Sequence, residues 1–425
     1  MMIRFILKGV VRDKSRSVLP IIVVSLGVFL TVFMSGWIGG VFGDMIDLNA
    51  NFTTGHVKIM TRSFAENKNQ LPNDLALMNV EQLTAQLKND YTNMEWVNRI
   101  HFGGLLDVPD QNGETRAQGP AAGKAIDMLS PGTNEVQRMN ITNALVKGSL
   151  PTKQGEALIS NDFADKFGVN IGDDISIFGT TMNGSMMLKT FTLSGTVSFG
   201  NTMLDRGAII VDIRDARLAL DMEDATSEIL GYFTQGGYDD ARADSVKTTF
   251  NRKFSLVEDE FSPQMFKLSE MGGMKEYLPM AKRMSTMMIV IFVGAMSVVL
   301  WNTGLLGGLR RYSEYGVRLA LGEEKGQIYL TMVYEAIIIG LAGSILGTLL
   351  GLVASYYLQE NGIDFSALTK DLTMMMPTVY RAKVSPELFY IGFLPGLIAM
   401  TLGNALAGLA IYKRNTAQLF KELEV

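Results

Sequence analysis

The chain has 425 residues, 47% of them hydrophobic and 19% charged, with 43 acidic against 38 basic side chains and a net charge of −5. That balance disfavours nucleic acid as a partner. With no cysteine anywhere, a disulfide scaffold is excluded, and any zinc site would have to be built mainly from carboxylates around His56 and His101.

The apolar residues are gathered into one membrane-length run near the N-terminus, a long polar stretch, and three further runs in the last third. The first run, Val18 to Phe42, carries no charge over 25 residues, and about 20 apolar helical residues cross a bilayer core. Met287 to Leu309, Ile328 to Leu358 and Leu388 to Ile411 are the other three, with Glu335 the one charged side chain inside any of them. The fold class expected is therefore an α-helical membrane protein with four transmembrane helices plus a large α+β extracytoplasmic domain. The boundaries expected are a cytoplasmic amphipathic N-terminal helix over 1–17, spans at 18–42, 286–309, 328–358 and 388–411, the external domain with its stalk at 43–285, a cytoplasmic loop at 310–327, an outer loop at 359–387 and a cytoplasmic tail at 412–425.

Ahead of the first span, Ile3, Ile6, Leu7, Val10 and Val11 form a helical stripe between Arg4, Lys8 and Arg12. The stripe suits a helix lying on the inner membrane surface, and a simple basic anchor flank accounts for it equally well. The first run is too long for a cleaved signal peptide and lacks a good small-x-small site after it, so a retained anchor is expected. Basic residues set the orientation. Arg4, Lys8, Arg12, Lys14 and Arg16, then Arg310, Arg311, Arg318 and Lys325, then Lys413, Arg414 and Lys421 fall on one side, against Lys370, Arg381 and Lys383 on the other. Both termini are expected in the cytoplasm, and the inserted domain in the periplasm of a cell whose inner membrane holds the protein.

That domain is acidic: Asp44 to Ser285 holds 32 acidic and 23 basic residues, a net of −9. The pattern predicts a helix over Val80 to Asp90 beside short apolar runs such as His56 to Met60, a connection or exposed hairpin over Pro109 to Arg138, and mostly short strands at Ala157 to Ser160, Asp174 to Phe178, Met186 to Phe199, Gly207 to Val211 and Ile229 to Phe233. Helices are expected at Asp162 to Phe167, Ile213 to Leu220 and Tyr238 to Phe254. Periodic Leu268, Met271, Met274, Leu278 and Ala281 predict a stalk helix leading into the second span. Gly119 to Ala125 resembles a phosphate loop only loosely, with the wrong spacing and Ala125 where Ser or Thr should hold the metal. No catalytic set and no metal site is expected, and Met374, Met375 and Met376 read as apolar filler rather than Cu(I) ligands.

In the third span Gly343, Gly347 and Gly351 recur every four residues and leave one face without bulk, which suits close helix approach. No ladder of charges crosses the bilayer, which argues against a self-powered secondary transporter. The loop after the second span is the most specific stretch. Ser313, Glu314, Tyr315, Gly316, Val317, Arg318, Leu319, Ala320 and Leu321 read as a short helix closed by Gly322, with Glu314 and Arg318 spaced to pair.

This loop, continuing through Tyr334-Glu335-Ala336 to Gly340, Gly343 and Gly347, closely resembles the permease domain of the FtsX/MacB-like ABC transporter superfamily. Within it, Thr54-Gly55-His56-Val57-Lys58-Ile59, Gly155-Glu156-Ala157-Leu158-Ile159-Ser160 and Gly172-Asp173-Asp174-Ile175 resemble the external domain of the lipoprotein-releasing permeases of LolC and LolE type. The resemblance implies a MacB-like periplasmic core with a β-rich insert and no cofactor in this chain, ATP and Mg being bound by a separate cytoplasmic ABC ATPase dimer that docks on residues 313–322. It implies a second permease copy or paralogue, a lipoprotein or other lipid-like substrate, a periplasmic carrier or adaptor, and mechanotransmission from the ATPase to the external domains. Lipid chains would pass Phe33, Trp37, Val41, Met45 and Leu48, although the same side chains would also suit contact with bulk lipid. Pro109 to Gly123 is the segment expected to protrude toward a carrier. Two other roles stay open: an exporter of peptide, drug or glycolipid, and a non-transporting regulator of a cell-wall hydrolase or sensor.

Overall fold

The computed structural model describes residues 14–67, 70–110, 113–199, 205–254, 259–271, 273–309, 312–365 and 379–413. The stripe at Ile3 to Val11, the triplet Met374 to Met376, and Arg310, Arg311, Lys370, Arg414 and Lys421 lie outside the described residues. Two compact units are present: 1–43, 280–363 and 379–425 form one, and 44–279 with 364–378 the other.

The first unit is helical. Helix α1 (Lys14–Asn49) begins in it and continues into the second unit past the expected end of the span at Phe42. The sheet-containing unit then supplies β1 (Val57–Thr61), β2 (Leu77–Met78), α2 (Val80–Asp90), β3 (Met94–Pro109) and β4 (Thr115–Ile126). After a short helix, α3 (Glu135–Arg138), come β5 (Leu145–Gly148), β6 (Glu156–Ser160), α4 (Asn161–Phe167), β7 (Asp174–Thr180), β8 (Met186–Val197) and β9 (Ala208–Asp212). The unit closes with α5 (Ile213–Ala219), β10 (Ala225–Thr226), β11 (Glu228–Phe233), α6 (Asp240–Phe254) and β12 (Pro263–Lys267). Helix α7 (Met274–Leu309) returns to the helical unit, followed by α8 (Tyr312–Ala320), α9 (Lys325–Asn361), α10 (Leu388–Ile391) and α11 (Met400–Lys413). Leu394–Ala399 joins α10 to α11 as a wide π-type turn that takes in Pro395, whose missing N–H cannot continue an α-helical ladder.

Among the described residues, four helical segments, Val18–Thr54, Met274–Leu309, Lys325–Asn361 and Leu388–Leu409, are long and apolar enough to cross a membrane. A large mixed sheet organises the other unit, in the order β12-β1-β11-β3-β4-β9-β6-β8-β5, with β7 bridging β3 and β8. Strands β4 and β9, and β6 and β8, run parallel, and the remaining pairs of this sheet run antiparallel. Its apolar side chains sort into separate clusters. One gathers Ile100, Phe102, Leu106, Phe163, Ile177 and Phe191. Another places Val57, Ile59 and Trp96 under Leu87 of α2 and Phe250 of α6. This α+β arrangement agrees with the expected fold class.

Of two local expectations, one is narrowed and one corrected. Pro109 to Arg138, expected as a connection or an exposed hairpin, takes the hairpin form over its first part: Thr115–Ile126 is a full strand folded back on β3, from Ile100 opposite Ala125 to Asp107 opposite Gln118. Its glycines suggested turns, yet they make room for rings. A Cβ on Gly119 would sit 2.9 Å from Phe167, and one on Gly123 would strike Phe102. The stalk helix begins at Met274 rather than Leu268, because Leu268–Glu270 forms a single 3-10 turn. Leu268 instead packs beside Ala50 and Met274.

Candidate functional site

Helix α8 fills the place expected for ATPase coupling. Its aromatic side is anchored: Tyr312 and Tyr315 are buried with Ile328, Met332 and Ala407, and Leu319 packs on them. The Tyr312 hydroxyl donates to the Ala407 carbonyl at 2.6 Å. The opposite side is uncovered, with Val317 50% exposed and Leu321 83% exposed. Arg318 does not settle on Glu314 in the i,i+4 manner; its guanidinium forks onto Glu323 with bonds of 2.7 and 2.6 Å. Glu323 wins because the chain doubles back at Gly322, which at φ +92° adopts a backbone that side chains disfavour. The N–H groups of Leu321, Gly322 and Glu323 bond back to Val317, Leu319 and Arg318 and close the helix. Of the ten residues expected to couple, Ser313, Glu314 and Gly316 lie on the same helix, and Ala320 ends it exposed.

The three glycines of α9 lie against α1. A Cβ on Gly343 would stand 2.6 Å from Val24, one on Gly347 would stand 2.5 Å from the Ser25 carbonyl and 2.7 Å from Val28, and one on Gly351 would stand 2.7 Å from Val32. Val24, Val28 and Val32 are wholly buried in this groove, so ridge and groove repeat together every four residues. Phe33, Trp37, Val41, Met45 and Leu48 share another side of α1. Phe33 follows Val28 by five positions, about 140° round the helix at 3.6 residues per turn. Phe33 stacks on Phe29 with centroids 5.8 Å apart. Phe33, Trp37, Val41 and Leu48 are half-buried, and Met45 is exposed.

Sequence patterning missed a set of buried charges in the sheet unit. Lys58 of β1 pairs with Glu228 of β11, and His101 Nε2 lies 2.8 Å from the other oxygen of the same carboxylate. Arg99 of β3 pairs with Glu135 of α3 at 2.8 Å, both side chains fully buried, and Arg138 adds a 2.5 Å contact to Glu135. Burial alone would raise the Glu228 carboxyl, but Lys58 and His101 outweigh it and hold it well below the carboxylate range. Glu135 is likewise opposed by burial and held down by Arg99 and Arg138. Burial, aided by Arg99, pushes the Lys124 ammonium down to about 7. The signal available beforehand was a lone charge against an apolar run, Lys58 within Val57 to Met60 and Glu228 ahead of Ile229 to Phe233; both strands are buried throughout, where such a charge requires a partner. His56 is buried and accepts the Phe233 N–H at 3.0 Å through Nδ1.

Residues 17–247 match the family model of the MacB-like periplasmic core domain, and residues 286–416 match that of the FtsX-like permease C-terminal region. Over 89 residues the chain is 36% identical to the macrolide export ATP-binding/permease protein MacB of Sodalis glossinidius (strain morsitans), an alignment covering 21% of this chain and 12% of that protein. The crystal structure of the periplasmic region of MacB from Actinobacillus actinomycetemcomitans superposes with a TM-score of 0.36 at 11% identity, over 54% of this chain and 95% of that one. The core-domain model spans more than half of the chain and the permease model follows it without overlap, so the protein belongs to the FtsX/MacB-like ABC transporter permease superfamily.

Proposed function

We propose that this chain is the non-catalytic membrane subunit of an ABC transporter in the inner membrane, both termini cytoplasmic, and that a separate cytoplasmic ATPase dimer drives it. The observation that carries this reading is α8: a short helix fixed by buried tyrosines on one side and exposing Val317 and Leu321 on the other. An uncovered apolar face on a rigidly held helix suits a protein contact. The resulting motion passes to the periplasmic core domain through α1 and α7, which each run continuously from one unit into the other. A second copy or a paralogue completes the membrane assembly.

The cargo proposed is lipid-like, a lipoprotein taken from the outer leaflet for a periplasmic carrier, with Phe33, Trp37, Val41, Met45 and Leu48 lining its path. Acyl chains are recognised by apolar area rather than by directed bonds, and this side of α1 offers aromatic and aliphatic surface. Export of a periplasmic drug or peptide is the second reading, favoured by the macrolide-export relative.

The test is to purify the full-length chain from native membranes and identify what accompanies it. A separate ATPase with triacylated lipoproteins supports extraction, whereas an ATPase with an adaptor and no lipid-modified cargo moves the reading to export. Val317→Asp and Leu321→Asp should release the ATPase while leaving the chain folded; retention of the ATPase by both variants would refute the docking role of α8.

A further inference from the structure

The last turn of α1 meets an arrangement that ordinary helix ends lack. A helix leaves its final carbonyls without partners, and water or a cap normally takes them. Here the chain widens into a π-type turn over Ala50–Thr54 and stops at Gly55, with φ +63°. Three successive carbonyls of that turn are then taken by side chains from the sheet. Tyr232 of β11 donates its hydroxyl to Ala50 at 3.2 Å. Arg99 of β3 donates Nη2 to Asn51 at 2.8 Å and Nη1 to Phe52 at 3.0 Å. Lys124 of β4 donates to the same Phe52 carbonyl at 2.8 Å and lies 4.2 Å from the Phe52 ring centroid.

The remaining atoms of Arg99 are occupied as well. Its Nε bonds Glu135 and its Nη2 also reaches the Tyr232 hydroxyl at 3.2 Å. Arg138 lies over the Tyr232 ring, 4.1 Å from its centroid, and ties Glu135 to Glu95. Arg99, Tyr232 and Lys124 thus come from three adjacent strands and converge on one helix terminus. Cations belong at that end of a helix, because the macrodipole is negative there. A planar guanidinium can hold two carbonyls and a carboxylate in fixed directions, which an ammonium cannot. Stability alone does not call for this: a buried ion pair costs desolvation and is often replaceable by apolar side chains without loss.

We propose that Arg99 is a positioning residue for force transmission, clamping the end of α1 with Lys124 and Tyr232 so that displacement of the helix is delivered to the central sheet. The proposal rests on the coupled-permease reading above and names the joint at which that coupling is made. Sliding or rotation of α1 would break directed bonds to β3, β4 and β11 together, so the helix end and these strands move as one body.

The chain lacks cysteine, so single cysteines report cleanly. Spin labels at Thr53→Cys, exposed in the clamped turn, and Lys88→Cys, exposed on α2, would be measured in the full-length protein with Arg99 intact and in the double variant Arg99→Met with Glu135→Met. That double change removes the grip without stranding a charge. A control pair at Lys88→Cys and Ala241→Cys, both on helices packed over one core, reports whether the domain stays folded. The expected result is a narrow Thr53–Lys88 distribution that broadens in the variant while the control stays narrow, with substrate-stimulated ATP hydrolysis in the reconstituted complex falling about tenfold. Arg99→Lys keeps the charge but loses the fork, and should recover only part of both. A Thr53–Lys88 distribution that stays narrow in the variant overturns the clamp. Broadening with unchanged stimulation overturns its part in coupling. If the parent complex itself shows no stimulated hydrolysis, the coupled-permease reading fails and takes the delivery role with it, even where the distances still report a clamp.

Discussion

Helix α1 is held in two places by opposite chemistry. Between Val24 and Val32 it lies in the glycine groove of α9, where no charge takes part. At Ala50 to Phe52 it is held by an arginine, a lysine and a tyrosine, the arginine's charge balanced by the buried Glu135 carboxylate. In an apolar surrounding, helices gain little from hydrophobicity and associate through close van der Waals contact, which small residues permit. Such contact fixes how near two helices lie but resists sliding only weakly. Directed bonds to the helix end fix its position along the axis. One attachment sets packing and the other sets register.

The groove should be the less forgiving of the two. Gly347→Leu would drive a side chain into the Ser25 carbonyl and Val28, and backbone cannot move aside as a flexible side chain can. We expect this variant to lose the folded membrane unit, visible as absent monodisperse protein after detergent extraction; normal yield and melting would show that α1 and α9 are not packed this way. Next in size is Glu228→Gln, which strands Lys58 among fully buried strands. Breaking one side of a buried pair costs roughly 3–5 kcal/mol. A melting temperature within a degree of the parent would show that the pair is water-filled rather than buried.

The two attachments were not equally legible. Gly343, Gly347 and Gly351 announce themselves by spacing, because a helix returns to the same face every three to four residues. Their partner ridge at Val24, Val28 and Val32 has the same period, but nothing in a single chain says which apolar face meets which. The clamp was hidden for a different reason: Arg99, Lys124 and Tyr232 come together through strand order, and the carbonyls they hold leave no mark in the sequence. The strand Thr115–Ile126 was obscured because Gly119 and Gly123 look like turn residues while serving to admit rings. In α8 the helix and its glycine stop could be read, whereas the pairing of Arg318 with Glu323 depends on how the chain folds back at Gly322.

A smaller effect separates charge from packing by titration. His56 is buried against Tyr232, Phe233 and Tyr238, and burial, with Arg138 and Arg242 nearby, lowers its pKa to about 4 from 6.5. Between these values the unfolded chain binds the proton and the folded one does not. Stability is therefore complete above pH 6.5 and is lost as pH falls toward 4, by roughly 3.5 kcal/mol in all at about 1.4 kcal/mol per unit. His56→Gln keeps an acceptor for the Phe233 N–H and does not titrate. Melting of the full-length protein in detergent should become less pH-dependent between pH 7 and pH 5 in this variant; an unchanged slope would assign the acid sensitivity to other groups.

The smallest effect expected is that of Gly39→Ala on α1, set against its neighbour Gly40. Gly40 lies against the backbone of Arg381 and Ala382, which a Cβ would strike, whereas a Cβ on Gly39 meets nothing within 4 Å. Glycine inside a helix costs about 0.5–1 kcal/mol relative to alanine, so Gly39→Ala should melt at the same temperature or slightly higher while Gly40→Ala melts lower. The pair thereby tests whether the close approaches of α1 are confined to one side. If Gly39→Ala instead destabilises the purified assembly, that side of the helix must be closed by something other than the described residues, and a second α1 crossing at Gly39 would be one such geometry. In that case the first spans of two copies would meet there, about 160° round the helix from Trp37 and Val41 at 3.6 residues per turn.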